Sequence, residues 1–148
     1  MPGEEIEQSP IEVAKNQLVD YRRQLVGIFQ NPPRGFDIET VNVPWTSKKE
    51  QTQEFSLDVP NKEYPEVVNK YRISFIRAKR GPDAQGIMIT DAETKVTSSG
   101  DGQAKGWGET ILPDGSLSGY QGSQEELSKL GTMIVKCGEI LEVLGEEK

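Results

Sequence analysis

The hydrophobic positions of the chain follow a helical period near the N-terminus. From residue 11 to residue 28 the apolar positions recur every three or four residues, which places them on one side of a helix. Ser9 can cap that helix, Pro10 suits its first position, and Glu12 completes a capping box. Asn31-Pro32-Pro33 ends it, because proline has no N–H to donate and disfavours helix in the residue before it. The apolar stripe consists of Ile11, Ala14, Leu18, Tyr21, Leu25 and Ile28.

The middle of the chain, from about Phe36 to Tyr120, changes to the alternating pattern of β-strands. The alternation reverses its phase near Thr40, which predicts a β-bulge there. Asp114-Gly115 is typical of a tight turn and predicts a hairpin between Trp107 and Tyr120. Short turns without crossover helices favour an antiparallel sheet. The clearest inward-facing sets are Phe55, Leu57 and Val59, then Tyr71, Ile73 and Phe75, and then Ile87 and Ile89.

The helical period returns in the last part of the chain. Ser123 to Glu126 form a second capping box, and Gly145 stands where it can cap the C-terminus. The fold class is therefore α+β, an antiparallel sheet of about five to six strands with one N-terminal and one C-terminal helix packed on it. Residues 1–8 are predicted to be a mobile acidic tail and 9–148 a single domain. The second stripe consists of Leu127, Leu130, Ile134, Cys137, Leu141 and Leu144, widened by Met133 and Ile140.

Composition excludes several classes of site and partner. The net charge is −7, which disfavours nucleic acid and anionic membranes as partners. No histidine and one cysteine occur among the 148 residues, so catalytic triads and the usual zinc sites cannot be built within one chain. We accordingly expect no metal and no cofactor. The acidic N-terminus has no apolar segment of a secretory signal, and the lone Cys137 fits a reduced, cytoplasmic setting.

Three glycines recur every seven residues in the last predicted helix, at Gly131, Gly138 and Gly145. A glycine inside a helix costs roughly 1 kcal/mol relative to alanine, so something is expected to pack close to this backbone. Ordinary packing within the chain is one explanation. The other is a helix–helix seam between subunits, which makes Gly131 and Gly138 candidate oligomer-interface residues.

Aromatic and basic residues supply the candidate binding sites. Trp107 lies between two glycines and Trp45 follows a proline, so each is either a partner anchor or a core residue. Residues 46–80 hold eight lysines and arginines against five acids, a local net charge of +3. This segment either protects sheet edges or binds an anion. The anion would contact Arg77, Lys79 or Arg80 and stack on Trp107 or Tyr120.

The acids of the second half show no diagnostic spacing for a metal or a catalytic pair, and aspartate and glycine favour turns for backbone reasons. These acids are Asp91, Glu93, Asp101, Glu109 and Asp114. The leading interpretation is a non-catalytic binding or assembly protein that acts through a protein partner or self-association. The alternatives are a protein that binds a small anionic or nucleotide-like ligand, and a carboxylate-dependent hydrolase.

Overall fold

The computed structural model of the chain describes residues 9–32, 38–42, 51–77, 84–96 and 102–146. Within these ranges two helices flank five strands in the chain. The predicted tail, Trp45, Lys79 and Arg80 lie outside the described residues. The helices are α1 (Pro10–Gln30) and α2 (Glu126–Glu146), and the strands are β1 (Glu39–Asn42), β2 (Gln51–Pro60), β3 (Val67–Ile76), β4 (Ile87–Val96) and β5 (Gly102–Ile111).

The five strands form one antiparallel sheet in the order β1-β2-β3-β4-β5, so each strand pairs with its neighbour in sequence. This confirms the predicted α+β class. β1 pairs with β2 in unbroken register from Glu39 to Asn42, so the bulge predicted near Thr40 is wrong for this stretch. Register shifts occur instead in β3–β4 after Lys70 and in β4–β5 after Asp91.

The predicted hairpin after β5 forms its turn but no sixth strand. Gly115 adopts a φ of 88°, and the amide of Leu112 donates to the carbonyl of Ser116 at 2.8 Å. Beyond the turn only a single bridge forms, between Ile111 and Leu117. Gly119 then adopts a φ of 89°, a left-handed conformation that turns the chain out of the sheet and toward α2.

Helix α1 begins and ends where the sequence predicts. The hydroxyl of Ser9 accepts a hydrogen bond from the amide of Glu12 at 3.2 Å, and Pro10 occupies the first turn. The helix stops at Gln30, before the Asn31–Pro32 step. Its buried side chains are Ala14, Leu18, Leu25 and Phe29.

Helix α2 begins at Glu126, inside the predicted capping box. The Glu126 carboxylate accepts the amide of Gly122 at 3.3 Å, while the amide of Ser123 donates to a turn carbonyl. Gly145 lies within the helix, so its predicted role as a C-cap is wrong. Leu127 is 45% exposed and thus outside the core, whose α2 members are Leu130, Met133, Cys137, Ile140 and Leu144.

Both helices lie on the same face of the sheet and cross it in the same direction, from β5 toward β2. Near the start of α1, Lys15 pairs with Asp114 in the turn after β5, at 3.7 Å. At its end, Phe29 packs on Phe55 of β2 and on β3, with the two phenylalanine ring centroids 5.2 Å apart. α2 reaches the β2–β3 turn at its far end, where Glu142 pairs with Lys62. The helices therefore run side by side and parallel.

Candidate functional site

A buried polar cluster lies between α2 and the sheet. Asp91 follows the inward-facing Ile87 and Ile89 in the alternation of β4, and it is 5% exposed. Lys136 of α2 places its ammonium 3.4 Å from Asp91 Oδ2 and 3.5 Å from the hydroxyl of Tyr71. A charge removed from water needs an opposite charge and hydrogen bonds, and this lysine supplies both to the aspartate.

Tyr71 is held in its neutral form by its surroundings. Burial, reinforced by the negative charges of Asp91 and Glu139, raises the pKa of Tyr71 to about 12, against a smaller opposing effect of a hydrogen bond with Asn69. The hydroxyl is therefore protonated across the physiological range. In this state it can donate a hydrogen bond but cannot act as a base.

A second cluster of the same composition lies under the first turn of α2. Glu109 of β5 is 9% exposed and hydrogen-bonds with the hydroxyl of Tyr120. Lys129 of α2 lies 5.4 Å from the centroid of the Tyr120 ring. Burial raises the pKa of Glu109, while the Tyr120 hydrogen bond and the Lys129 charge lower it. The two lysines are seven residues apart, so both project from the same side of α2.

These clusters fasten the helix to the sheet. Each acid is buried beside a lysine of α2, and in the described part of the chain no group of three or more acidic or cysteine side chains is arranged to hold a metal ion. Sequence reasoning missed them because it treated Asp91 and Glu109 as turn residues. The sequence does contain a signal for Asp91, because this residue continues the inward-facing alternation of Ile87 and Ile89.

The predicted binding residues do not converge where the structure describes them. The guanidinium of Arg77 reaches Gln53 of β2 at 3.4 Å, whereas Tyr120 bonds to Glu109 of β5. Strands β2 and β5 are three inter-strand spacings apart, about 14 Å, so one small ligand would not contact both side chains. The backbone of Trp107 in β5 pairs with that of Asp91 in β4. The anion site stays a prediction.

The two candidate interface glycines are seven residues apart and so lie on the same side of α2, but their surroundings differ. A Cβ added at Gly138 would stand 3.7 Å from the hydroxyl of Tyr21 in α1, so this glycine faces the neighbouring helix of the same chain. A Cβ added at Gly131 would meet no atom within 4 Å. Whether either glycine contacts another subunit stays a prediction, and only Gly131 presents an open backbone to solvent.

Gly131 is the centre of an exposed, uncharged surface that we call the outer ridge of α2, formed by Leu127, Ser128, Gly131, Thr132 and Val135. Leu127 and Val135 are 45% and 61% exposed. They stand one helical turn before and after Gly131, so the three lie in one row about 12 Å long. The hydroxyl of Thr132 is occupied by a hydrogen bond to the carbonyl of Ser128 at 3.1 Å. The ridge thus offers mainly aliphatic surface and an open backbone.

Helix α1 has the opposite kind of outer surface. Its exposed side chains include the charged Glu12, Asp20 and Arg23, and Asp20 and Arg23 form an ion pair at 3.2 Å. Charged residues make up 28% of the chain, so an exposed helix surface would ordinarily include some of them, as that of α1 does. An exposed helix surface of five residues without one charge is the feature of α2 that its own fold does not require.

Comparison of the chain with protein-family models, with curated protein sequences and with solved structures gives no match. Among the described residues, neither helix is long and apolar enough to span a lipid bilayer.

Proposed function

We propose that the protein is a non-catalytic assembly protein that self-associates through the outer ridge of α2. The supporting observation is that Leu127 and Val135, both large and exposed, flank a glycine whose Cβ position is empty. Removing this aliphatic surface from water favours contact, and the missing side chain at Gly131 permits two backbones to approach closely.

A second copy of the chain fits the ridge by symmetry. In a two-fold pair the same surface meets itself, so the axis would pass near Gly131. Two antiparallel α2 helices crossing there would set Leu127 of one copy against Val135 of the partner subunit. Both aliphatic side chains would then be covered, and neither glycine would hold the helices apart. In this arrangement the ridge of one copy packs against the same ridge of the other copy.

Charge makes this association dependent on salt. Each copy carries a net charge of −7, so two copies repel one another, while the ridge itself contributes no charge. Salt screens the repulsion and leaves the aliphatic contact intact. The dimer is thus expected to strengthen with ionic strength, whereas a dimer held by ion pairs would weaken. A single helical ridge is small compared with a stable interface, so the equilibrium is expected to be reversible and dependent on concentration.

The test is sedimentation equilibrium of the wild-type chain and of Val135→Asp over a concentration series. The substitution places a charge in the ridge and should leave a folded monomer at every concentration, because Val135 is exposed and contributes little to the core. Tyr64→Asp is the matched control, since Tyr64 is 59% exposed but lies in the β2–β3 turn. It removes a similar exposed side chain and should associate like the wild type.

Two results would contradict the proposal. If the wild-type chain stays monomeric at high concentration and high salt, it does not self-associate. A Val135→Asp chain that associates as the wild type does would place the contact elsewhere. Circular dichroism of each variant must show an unchanged fold for the comparison to count.

A further inference from the structure

A groove of about 270 Å³ lies at the far end of α2, between this helix and the β2–β3 turn. Val59 of β2 and Val143 of α2 form its apolar part, and Pro60 and Pro65 extend it along the turn. The carboxylates of Glu139 and Glu142 stand on the helix side. The groove therefore combines an aliphatic lining with negative charge, and none of its lining residues belongs to the outer ridge.

Glu139 supplies a charge that the fold does not neutralise directly. In the part of the chain that the structure describes, this half-buried carboxylate takes part in no ion pair, although its charge acts on both Tyr71 and Lys62. A partly desolvated carboxylate gains more from a cationic donor than a fully hydrated one does. A ligand ammonium beside Glu139 would supply that donor.

The same groove already holds one contact between a lysine ammonium and a glutamate carboxylate. Lys62 extends from the β2–β3 turn and places its ammonium 2.9 Å from Glu142. Both side chains are more than half exposed, and exposed pairs of this kind contribute little to stability. The pair can therefore open or shift at small cost to admit another cation. With Lys62 neutralising Glu142, the remaining charge of the groove is that of Glu139.

The size of the groove limits what it can hold. Pockets for drug-sized ligands usually measure about 300–1,000 Å³ and enclose most of the ligand. A groove just below this range suits one extended side chain better than a nucleotide. An aliphatic stem with a terminal ammonium matches both the apolar lining and the charge, and in proteins that combination is lysine.

We propose that this groove binds a lysine side chain of a partner polypeptide, with the stem along Val59 and Val143 and the ammonium at Glu139. The proposal does not depend on self-association, because no residue that lines the groove belongs to the outer ridge. The predicted partner is a polypeptide that presents an accessible lysine, which is also the partner that the negative charge of this chain favours.

The experiment is a titration of the ¹⁵N-labelled chain with Nα-acetyl-lysine N-methylamide, followed by NMR. Saturable shifts are expected for the amides of Lys62, Glu139 and Val143. The Nε-acetylated form of the same compound retains the stem without the charge and should cause no saturable shift. Glu139→Gln should weaken binding about tenfold, as for loss of a charged hydrogen bond. Glu125→Gln, at the exposed start of α2, is the matched control and should bind like the wild type.

Each contrary result is decisive. Absence of saturable shifts in the groove would overturn the site, and equal binding of the acetylated compound would overturn the role of the charge. Unchanged affinity in Glu139→Gln would remove the assigned acceptor. Tighter binding of n-butylammonium than of the lysine compound would identify a free amine as the ligand and overturn the polypeptide source. None of these outcomes depends on the oligomeric state measured by sedimentation.

Discussion

Replacing Gly131 by alanine should change folding and assembly in opposite directions. Alanine is more favourable than glycine inside a helix by about 0.8–1.0 kcal/mol. The main reason is that alanine gives the unfolded chain less conformational entropy to lose on folding. No atom lies within 4 Å of the added Cβ, so no steric cost offsets this gain. The free energy of unfolding of the monomer should rise by about 1 kcal/mol, and the melting temperature by roughly 3 °C.

The matched control is Gly27→Ala in α1. This glycine also lies inside a helix, and its added Cβ would also meet nothing within 4 Å. Urea unfolding followed by circular dichroism, at protein concentrations where the chain is monomeric, should give higher midpoints for both variants with unchanged m-values. Only Gly131→Ala should weaken self-association, because only its methyl group enters the proposed crossing point.

Opposite effects of the two substitutions on the stability of the monomer would contradict the open space at Gly131. A stabilised Gly27→Ala beside a destabilised Gly131→Ala would mean that part of the same chain occupies the space above Gly131. Equal stabilisation of both, with unchanged association of Gly131→Ala, would leave the fold intact but move the subunit contact away from this glycine. The two measurements therefore test the fold and the assembly separately.

Further predictions follow from the buried groups. Gly115→Ala should lower the free energy of unfolding by about 3 kcal/mol or more, because its φ is 88° and the methyl group would meet a main-chain oxygen of α1; an unchanged urea midpoint would refute this contact. Lys136→Met should cost about 3 kcal/mol by leaving Asp91 without its lysine, and adding Asp91→Asn should restore part of the loss in urea titrations. Because burial raises the pKa of Glu109 in the folded state, stability should fall as pH rises through that pKa; Glu109→Gln should remove this fall in urea midpoints measured against pH. Burial raises the pKa of Cys137 to about 12, so its thiol should react with a disulfide reagent only in denaturant; rapid reaction of the native chain would show that the helix opens.

The fold was largely predictable because its strongest signals are local. Alternation set the inward faces of the strands, and the register confirms them, since Phe55 pairs with Ile73 and Leu57 with Tyr71. The sequence failed at the start of α2, where two glycines with positive φ allow Glu126 to reach Gly122 instead of Ser123. Such a choice between neighbouring backbone donors depends on the path of the turn.

The candidate surfaces were harder to predict because they depend on what lies opposite each residue. Leu127 belongs to the heptad row of Ile134 and Leu141, which are partly buried against the core. With Tyr21 beside Gly138 and the helices parallel, Leu127 stands level with the first residue of α1, where no preceding turn covers it. The contacts of Lys129 and Lys136 could not be predicted from the sequence, because the acids near them, Glu109 and Asp91, lie on strands distant in the chain.

The buried clusters and the outer ridge are linked through the orientation of α2. Successive residues of a helix are about 100° apart, so a small rotation of α2 would withdraw Lys136 from Asp91 and leave a charge buried without its lysine. The same rotation would turn Leu127 and Val135 away from their present direction. Because the ion pair makes rotation costly, the ridge is presented in a fixed orientation, as a symmetric contact requires. Asp91, which shows no diagnostic spacing in the sequence, thus holds the helix that carries the proposed contact in place.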